Sequence, residues 1–517
     1  VVFSSSIAQK PWVRYSLDLQ RFNAPYTRLF AMTECSTKST ATKHPKLTRL
    51  RHQAVEVDFD GGTLTSDAGL LLLREVDRRI NLISRIDKLI PDPRDLRYAT
   101  HTQAEILTSR IFAIAAGYED VNDHQQLRHD AAFQTAAGRT PSENNYDNTS
   151  PLASPTTISR LENRVDAKTC LKLSELFVDV FLESYATPPS EIILDYDATD
   201  DLVHGEQECR HFNGFYDGYC FLPLYIFCGD QLLTAYLRPS SVGAAHHVRP
   251  ITKLLVAKIR SRWPNTKIIL RADSAFANNR LMSWCEKNDV GYVFGLQKNS
   301  VLIEKIADKM QEAKDHYTIK KEKAFLFQWL RYRAEKWKKY RWVIGKAEHC
   351  DKGANPRFVI TNLPSSDGVV DDVYRRVKQE DGRKVSTLIQ AGIPCSVARN
   401  PQGFYQTLYC MRGEMENPIK EQQLYLFADR TSCYGFIANQ FRLLLSSFAY
   451  VFLDALRRLA LTGTNEARWR VDTMRLRIIK IAARVRVTCR RVVFHLASHC
   501  PFEQIFRSVM HRLCLTG

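Results

Sequence analysis

At Glu191 the hydrophobic period of this chain changes, and that change limits the folds open to it. From Ser66 to Tyr185 apolar residues recur at three- and four-residue spacing, as in SDAGLLLLREVDRRINLISRID and HTQAEILTSRIFAIAAGYED, the pattern of helices with one buried face. From Glu191 the text is strand-like: EIILDYDAT, then GYCFLPLYIFCG and QLLTAYLRPS with a tight turn at Gly229-Asp230. A helix (AAHHVRPITKLLVAKIRSRW), a strand (TKIILRADSAF), a helix (NNRLMSWCEKNDV) and a strand (GYVFGLQ) follow. Short turns make the first three strands antiparallel, whereas a helical connection makes the fourth and fifth parallel.

Three strands, helix, strand, helix, strand is the order of a ribonuclease-H-like core. The expected class is therefore α/β, with a ribonuclease-H-like mixed sheet formed by residues 188–300 and 404–462. A β-rich insertion domain at 301–403 interrupts it, because FLFQWLRYRAEKWKKYRWVIGKAE alternates as a hairpin does. The core resumes with a strand, FYQTLYCMRG, and a helix through MENPIKEQQLYLFADR. An α-helical, DNA-binding domain (55–187) precedes the core and a basic C-terminal tail (463–517) follows it. Residues 1–54, rich in Ser, Thr and Lys, read as disordered, with 1–31 a non-native extension ahead of Met32.

The formal net charge is +17, which favours a polyanionic partner, either nucleic acid or an anionic membrane surface. No unbroken apolar run reaches about 18 residues, so no membrane-spanning helix is expected. The 13 cysteines contain no C-x-x-C pair, a usage that fits reduced thiols in a cytoplasm.

Three acidic residues stand out by position. Asp197 ends the first core strand, and Asp195 shares its face by alternation. Asp273 follows the fourth strand, the neighbour of the first in this sheet order. Two carboxylates brought together repel, and a divalent cation with a preference for oxygen ligands removes that cost. Glu416 opens the helix in which Pro418 fits only the first turn, and Arg412 lies four residues before it. Three carboxylates holding metal suit attack on a phosphodiester by water or by a DNA 3′-hydroxyl. Taken singly, each acid also reads as a turn or cap residue. Asp200 and Asp201 read as turn residues.

With these residues in view, the chain resembles the DDE transposases of bacterial insertion sequences, specifically the insertion-sequence 1380 family. That family is related to the group with a Tyr-x2-Arg-x3-Glu-x6-Lys signature. The resemblance rests on FDGGTLTSDAGLLLLREVDRR, PTTISRLENR, LDYDATDDLVHGEQE, LRADSAF, YCMRGEMENPIKE and RLRIIKIAARVRV, spread from about residue 55 to the end. It implies that Asp197, Asp273 and Glu416 are the catalytic and metal-binding triad, with Mg²⁺ as the ion and Mn²⁺ as its substitute. It further implies that Tyr409 and Arg412 support the glutamate and contact the terminal DNA phosphate. The substrates would be double-stranded DNA, both inverted-repeat ends and target, handled by a homodimer in a bacterial, nucleoid-associated setting. The signature lysine falls at Gln423, and the nearest lysine is Lys420, one helical turn from Glu416.

Other DNA contacts are expected from basic residues. Arg160 and Arg164 lie near a helix start, where a DNA contact and a solvated helix face both remain open. Arg331, Arg333 and Lys338 interleave with aromatics in RYRAEKWKKYRW, which suits either a DNA-facing strand pair or an ordinary hairpin. The tail carries Arg475 and Arg477 among 11 Arg/Lys against 3 acidic residues. Two rival functions stand beside the transposase: a ribonuclease-H-like nuclease, and an inactive DNA-binding remnant.

Overall fold

The structure is a computed structural model that describes residues 46–141, 151–363 and 400–514. The chain divides into two units, residues 1–61 and 62–517. In the first, Lys46–Leu50 pairs antiparallel with Gln53–Glu56 around Arg51, whose φ of 56° is left-handed. The first strand and the start of the second fall inside the 1–54 segment read as disordered; residues 1–45 of that segment lie outside the described residues. So do residues 142–150 and the last part of the insertion, 364–399.

The second unit begins with helices: α1 (Leu70–Ile80), α2 (Leu82–Leu89), α3 (Gln103–Ala116), α4 (Pro155–Arg164) and α5 (Ala167–Glu183). Their starts follow the capping chemistry of the sequence. Thr102 and Glu105 form a reciprocal capping box on α3, and Ser154 caps α4 ahead of Pro155. Gly117 ends α3 in the left-handed region, at φ 94°.

The central sheet uses β1 (Glu191–Ala198), β2 (Leu224–Cys228), β3 (Gln231–Tyr236), β4 (Lys267–Ala272) and β5 (Gly291–Leu296), in the order β3-β2-β1-β4-β5. β2 is antiparallel to both β1 and β3, and β4 is parallel to both β1 and β5. Helices α6 (Val248–Arg262) and α7 (Asn279–Lys287) make the connections. Residues 301–361 do not form a sheet of their own. After two helices (Ser300–Lys305 and Ala307–Lys320), β6 (Ala324–Tyr332), β7 (Arg341–Cys350) and β8 (Arg357–Thr361) extend the same sheet in the order β5-β8-β7-β6.

Helix α8 (Phe436–Leu456) runs through the middle of the helical layer and is buried on nearly all sides. It packs on α1, α3, α4 and α5, with Phe452 edge-on to Phe112 at 5.2 Å and Phe448 against Phe177 at 4.7 Å. With the turn that follows it (Phe436–Leu461) it is long and apolar enough to cross a membrane, against the expectation from unbroken apolar runs, yet 83% of its most apolar window is buried in the protein. Asn439, Gln440, Arg442 and Asp454 break the apolar run, and Asp454 is paired with Arg457 and Arg458 at 3.5 and 2.8 Å.

The tail folds back onto the start of this unit. Ala483–Val487 pairs with Leu64–Thr65, and Ala68 and Gly69 donate backbone hydrogen bonds to Ile481 and Ile479, each at 3.1 Å. A side chain on Gly69 would place its Cβ 1.9 Å from the Ile478 carbonyl oxygen, so only glycine permits this approach. Buried Asp67 accepts from Tyr118 and pairs with Lys480 at 2.7 Å. The SDAG and RIIKIAA motifs, more than four hundred residues apart, are thus two halves of one contact.

Candidate active site at the ends of the central strands

The pairing of β1 with β4 sets Glu191 beside Lys267 and Tyr196 beside Ala272. One residue further, the same register brings Asp197 level with Asp273. Asp197 sits at the solvent end of a strand whose first six residues are buried. Its Oδ1 accepts from the Ala198 amide at 2.9 Å, and its Oδ2 lies 3.7 Å from Nη1 of Arg412. Burial pushes the Asp197 carboxyl up to about 6; Arg412 pulls it down, while Asp273 and Glu416 push it further up. Both other carboxylates therefore act on Asp197. Asp273 also caps a short turn, its Oδ1 accepting from the Ala275 amide at 2.9 Å.

The segment bearing Glu416 departs from expectation. Residues 401–425 are helical throughout, with wide π turns at Phe404–Tyr409 and Glu421–Tyr425 flanking a tight 3₁₀ stretch at Cys410–Met415. FYQTLYCMRG was read as a strand because it is rich in aromatic and apolar residues. Its buried positions, Phe404, Tyr405 and Leu408, instead keep helical spacing and lie on Ile193, Ile269 and Val293 of the sheet. The overlooked start signal is Asn400-Pro401: the Asn400 carbonyl oxygen Oδ1 accepts from the Gln402 amide at 3.0 Å. Because the segment is helical, Tyr409, Arg412 and Glu416, spaced by three and four, share one face.

Each position on that face has a distinct environment. The Tyr409 hydroxyl lies over Gly295 of β5: a Cβ there would come within 2.6 Å of it and 2.8 Å of the Ser274 amide nitrogen. Tyr409 is therefore lodged against the backbone that carries Asp273, and burial raises its phenol. Arg412 has its charge strengthened mainly by Asp197, against the opposing effect of burial. Glu416 is exposed and lies 3.6 Å from Lys420, also exposed. Gln423, at the signature lysine position, donates to the Asp200 carbonyl at 2.9 Å and to Thr199 at 3.3 Å. It ties the Glu416 helix to the loop after Asp197, a neutral role for a position expected to carry charge.

Asp195 is not part of the open site. It is buried and doubly bonded to Arg271, Nε to Oδ1 at 2.5 Å and Nη2 to Oδ2 at 2.7 Å. Arg271 Nη1 also donates to the Leu408 carbonyl at 2.7 Å, so the pair anchors the Tyr409 helix to the sheet. A legible signal existed: an arginine inside an apolar strand needs a buried acid, and Asp195 is its register partner. Asp201, read as a turn residue, is instead buried on a short strand opposite Phe221.

The expected DNA-contact residues separate into outward and inward groups. Arg160 and Lys338 are exposed. Arg331 and Arg333 are exposed too, lying over Trp342 at 4.8 Å and Tyr340 at 5.1 Å. Arg164 and Arg475 are engaged within the protein. Arg164 donates to Gln103 and lies 3.4 Å from Asp92. Arg475 donates to the carbonyls of Ala115, Ile114 and Tyr425, closing the C-terminal end of α3, and burial lowers it to about 10. A helix end leaves carbonyls that need donors, and Arg475 is used there. Arg477 is half-buried between Trp469 and Phe502, at 4.8 and 5.2 Å from their rings.

A metal fits the donor chemistry of this end of the sheet. Asp197 and Asp273 are hard oxygen donors on adjacent strands, and Asp273 adds to the burial that raises Asp197. Among the described residues no group of three His, Cys, Asp or Glu side chains is arranged to hold an ion by itself.

A mixed α/β sheet with acidic groups gathered at the ends of adjacent parallel strands defines a protein built to bring carboxylates to bear on a ligand at that edge. The chain belongs to the family described as transposase DDE domain group 1, which it matches over residues 47–516. Among solved structures it is similar to one described as the cryo-EM structure of piggyBac transposase synaptic complex with hairpin DNA. Identity is 11%, the TM-score is 0.38, and the match covers 80% of this chain and 79% of that one. No curated protein sequence matches the chain.

Proposed function

We propose that the protein is a DNA transposase of the insertion-sequence 1380 group that cuts and rejoins the inverted-repeat ends of its element. The observation that carries this reading is the register of β1 and β4, which sets Asp197 beside Asp273, with Arg412 3.7 Å from Asp197. Family membership supports it. Asp197 and Asp273 would hold Mg²⁺, or Mn²⁺ in its place, with Glu416 joining them from the helix.

The bound metal supplies activation of the attacking oxygen and stabilisation of the leaving one. The chain's own residues do the positioning. Tyr409 and Gly295 fix the Glu416 helix against the Asp273 turn, and Gln423 fixes it against the Asp197 loop. Arg412 is a half-buried cation on the edge where a phosphate would lie, suited to hold the DNA backbone. Lys420 lies one turn beyond Glu416 and takes the phosphate contact that Gln423 cannot make. Arg160, Arg331, Arg333 and Lys338 are exposed cations suited to the flanking DNA.

The test uses full-length protein, Mg²⁺ and duplexes taken from the DNA flanking the coding sequence, with Glu416→Ala alongside. Nicking or joining by wild type and not by the variant is the expected result. Binding without cutting by either protein would make it a DNA-binding remnant. Cutting restricted to RNA–DNA hybrid would make it a ribonuclease-H-like nuclease.

A further inference from the structure

Between β1 and β2 the chain forms a small separate sheet from Asp201–Leu202, His211–Asn213 and Gly218–Phe221. Its last strand runs directly into β2, where Tyr225 pairs with Asp197. Since β2 is antiparallel to β1, the 211–221 hairpin extends past the end of β1 that carries Asp197. Its turn is fixed: Asn213 Oδ1 accepts from the Phe215 amide at 3.0 Å, Asn213 Nδ2 donates to the Ser240 carbonyl at 3.2 Å, and Asp217 takes a φ of 51°.

This fixed turn presents aromatic rings outward. Phe215 is 76% exposed, and Phe212 and Tyr219 are about half exposed. Phe215 meets Tyr216 edge-on, centroids 4.8 Å apart and planes at 88°, so the two rings do not stack on each other. The Arg210 guanidinium lies 4.8 Å over Tyr219. Tyr216, on the same turn, is half-buried, and burial first and then Asp200, Asp197 and Asp273 push its phenol upward. A large ring left in water on a rigid turn marks a contact surface. Exposed rings with a cation beside them, here Arg210 over Tyr219, suit stacking on an unpaired base, since every base has a π-face.

We propose that the 211–219 hairpin is a stacking platform for an unpaired DNA base beside the candidate cleavage site, with Phe215 providing the ring. This rests on the reading of Asp197 and Asp273 as that site. The platform holds the base while the adjoining phosphate lies at the strand ends, so it positions substrate and takes no part in bond making.

The experiment titrates full-length wild type, Phe215→Ala and Phe215→Trp, in EDTA, against a flanking-DNA duplex carrying one unpaired 2-aminopurine and against its fully paired counterpart. Stacking quenches the probe. Wild type and Phe215→Trp quench it; Phe215→Ala does not, and binds the unpaired duplex about tenfold more weakly while holding the paired duplex within about twofold. Equal quenching by wild type and Phe215→Ala overturns the platform. Loss of affinity for both duplexes alike also overturns it, as does a shift of Phe215→Ala from dimer to monomer in sedimentation, which would make the patch a contact between copies. Cleavage in Mg²⁺ reports separately on the transposase reading: Phe215-dependent quenching without cleavage removes that reading and leaves the platform, and cleavage without Phe215 dependence does the reverse.

Discussion

Asp195 and Arg271 face each other across adjacent parallel strands, joined by hydrogen bonds of 2.5 and 2.7 Å, and the arginine's remaining nitrogen holds the Leu408 carbonyl. Both are buried. Breaking a buried pair strands the surviving charge, so Arg271→Ala should cost about 3–5 kcal/mol of unfolding free energy. Arg271→Lys should lose part of that, because an ammonium cannot serve both carboxylate oxygens and a carbonyl in the same fork. Urea denaturation measures both; a loss below about 1 kcal/mol in Arg271→Ala would show that the pair does not hold the helix to the sheet.

Gly295→Ala separates positioning from folding. The new methyl would lie 2.6 Å from the Tyr409 hydroxyl and 2.8 Å from the Ser274 nitrogen, so the Tyr409 helix or the Asp273 turn must shift. A misplacement of about 1 Å is worth about 100-fold in rate. The expected result is DNA cleavage reduced to that extent, with circular dichroism and DNA affinity retained. Unchanged cleavage would mean that Tyr409 is not part of the machinery.

Asp197 sets a pH dependence. Its carboxyl titrates near 6 in the folded chain, against 3.8 as the ordinary value, so the fold favours the protonated form. Without metal, stability is therefore greatest below about pH 4 with respect to this group and falls as pH rises through 6, by about 3 kcal/mol in all. Asp197→Asn should match wild type near pH 4 and exceed it above pH 6. Mg²⁺ should raise the wild-type melting temperature more at pH 7.5 than at pH 5, because a proton competes for the same oxygens below about 6, and should leave Asp197→Asn unmoved. A wild-type and variant pair with parallel pH profiles would contradict this.

The arginines divide into two measurable kinds. Arg475→Ala removes a donor from three helix-end carbonyls, and should lower stability by about 1–3 kcal/mol. Arg333→Ala, at an exposed site over Tyr340, should leave stability within about 0.5 kcal/mol and reduce the salt slope of DNA binding by about 1. Reversal of the two outcomes would refute the division into inward and outward groups.

Much of the architecture was legible because its signals are local. Strand length, turn chemistry and a helical connection fix which strands run parallel, and parallel pairing in register is what sets Asp273 beside Asp197. The 401–425 helix was misread at its start because Phe404–Tyr409 has strand-like composition, while its period becomes evident only against the sheet face it covers. The aromatic hairpin at 211–219 carries no local signal, because aromatics in a loop are ordinary until the pairing of β2 with β1 brings the hairpin past the Asp197 end of the sheet.

The sequence alone therefore determined the order of elements, the position of the acids at strand ends and the family, since these depend on period, spacing and motif text. Tertiary structure decided how individual charges are used. An arginine carries the same charge whether it closes a helix end, as Arg475 does, or faces solvent, as Arg333 does, and only the burial of its surroundings distinguishes the two. It also joined SDAG to RIIKIAA, because a contact that needs Gly69 to lie against the Ile478 carbonyl is a property of two distant backbones meeting, which no local pattern records.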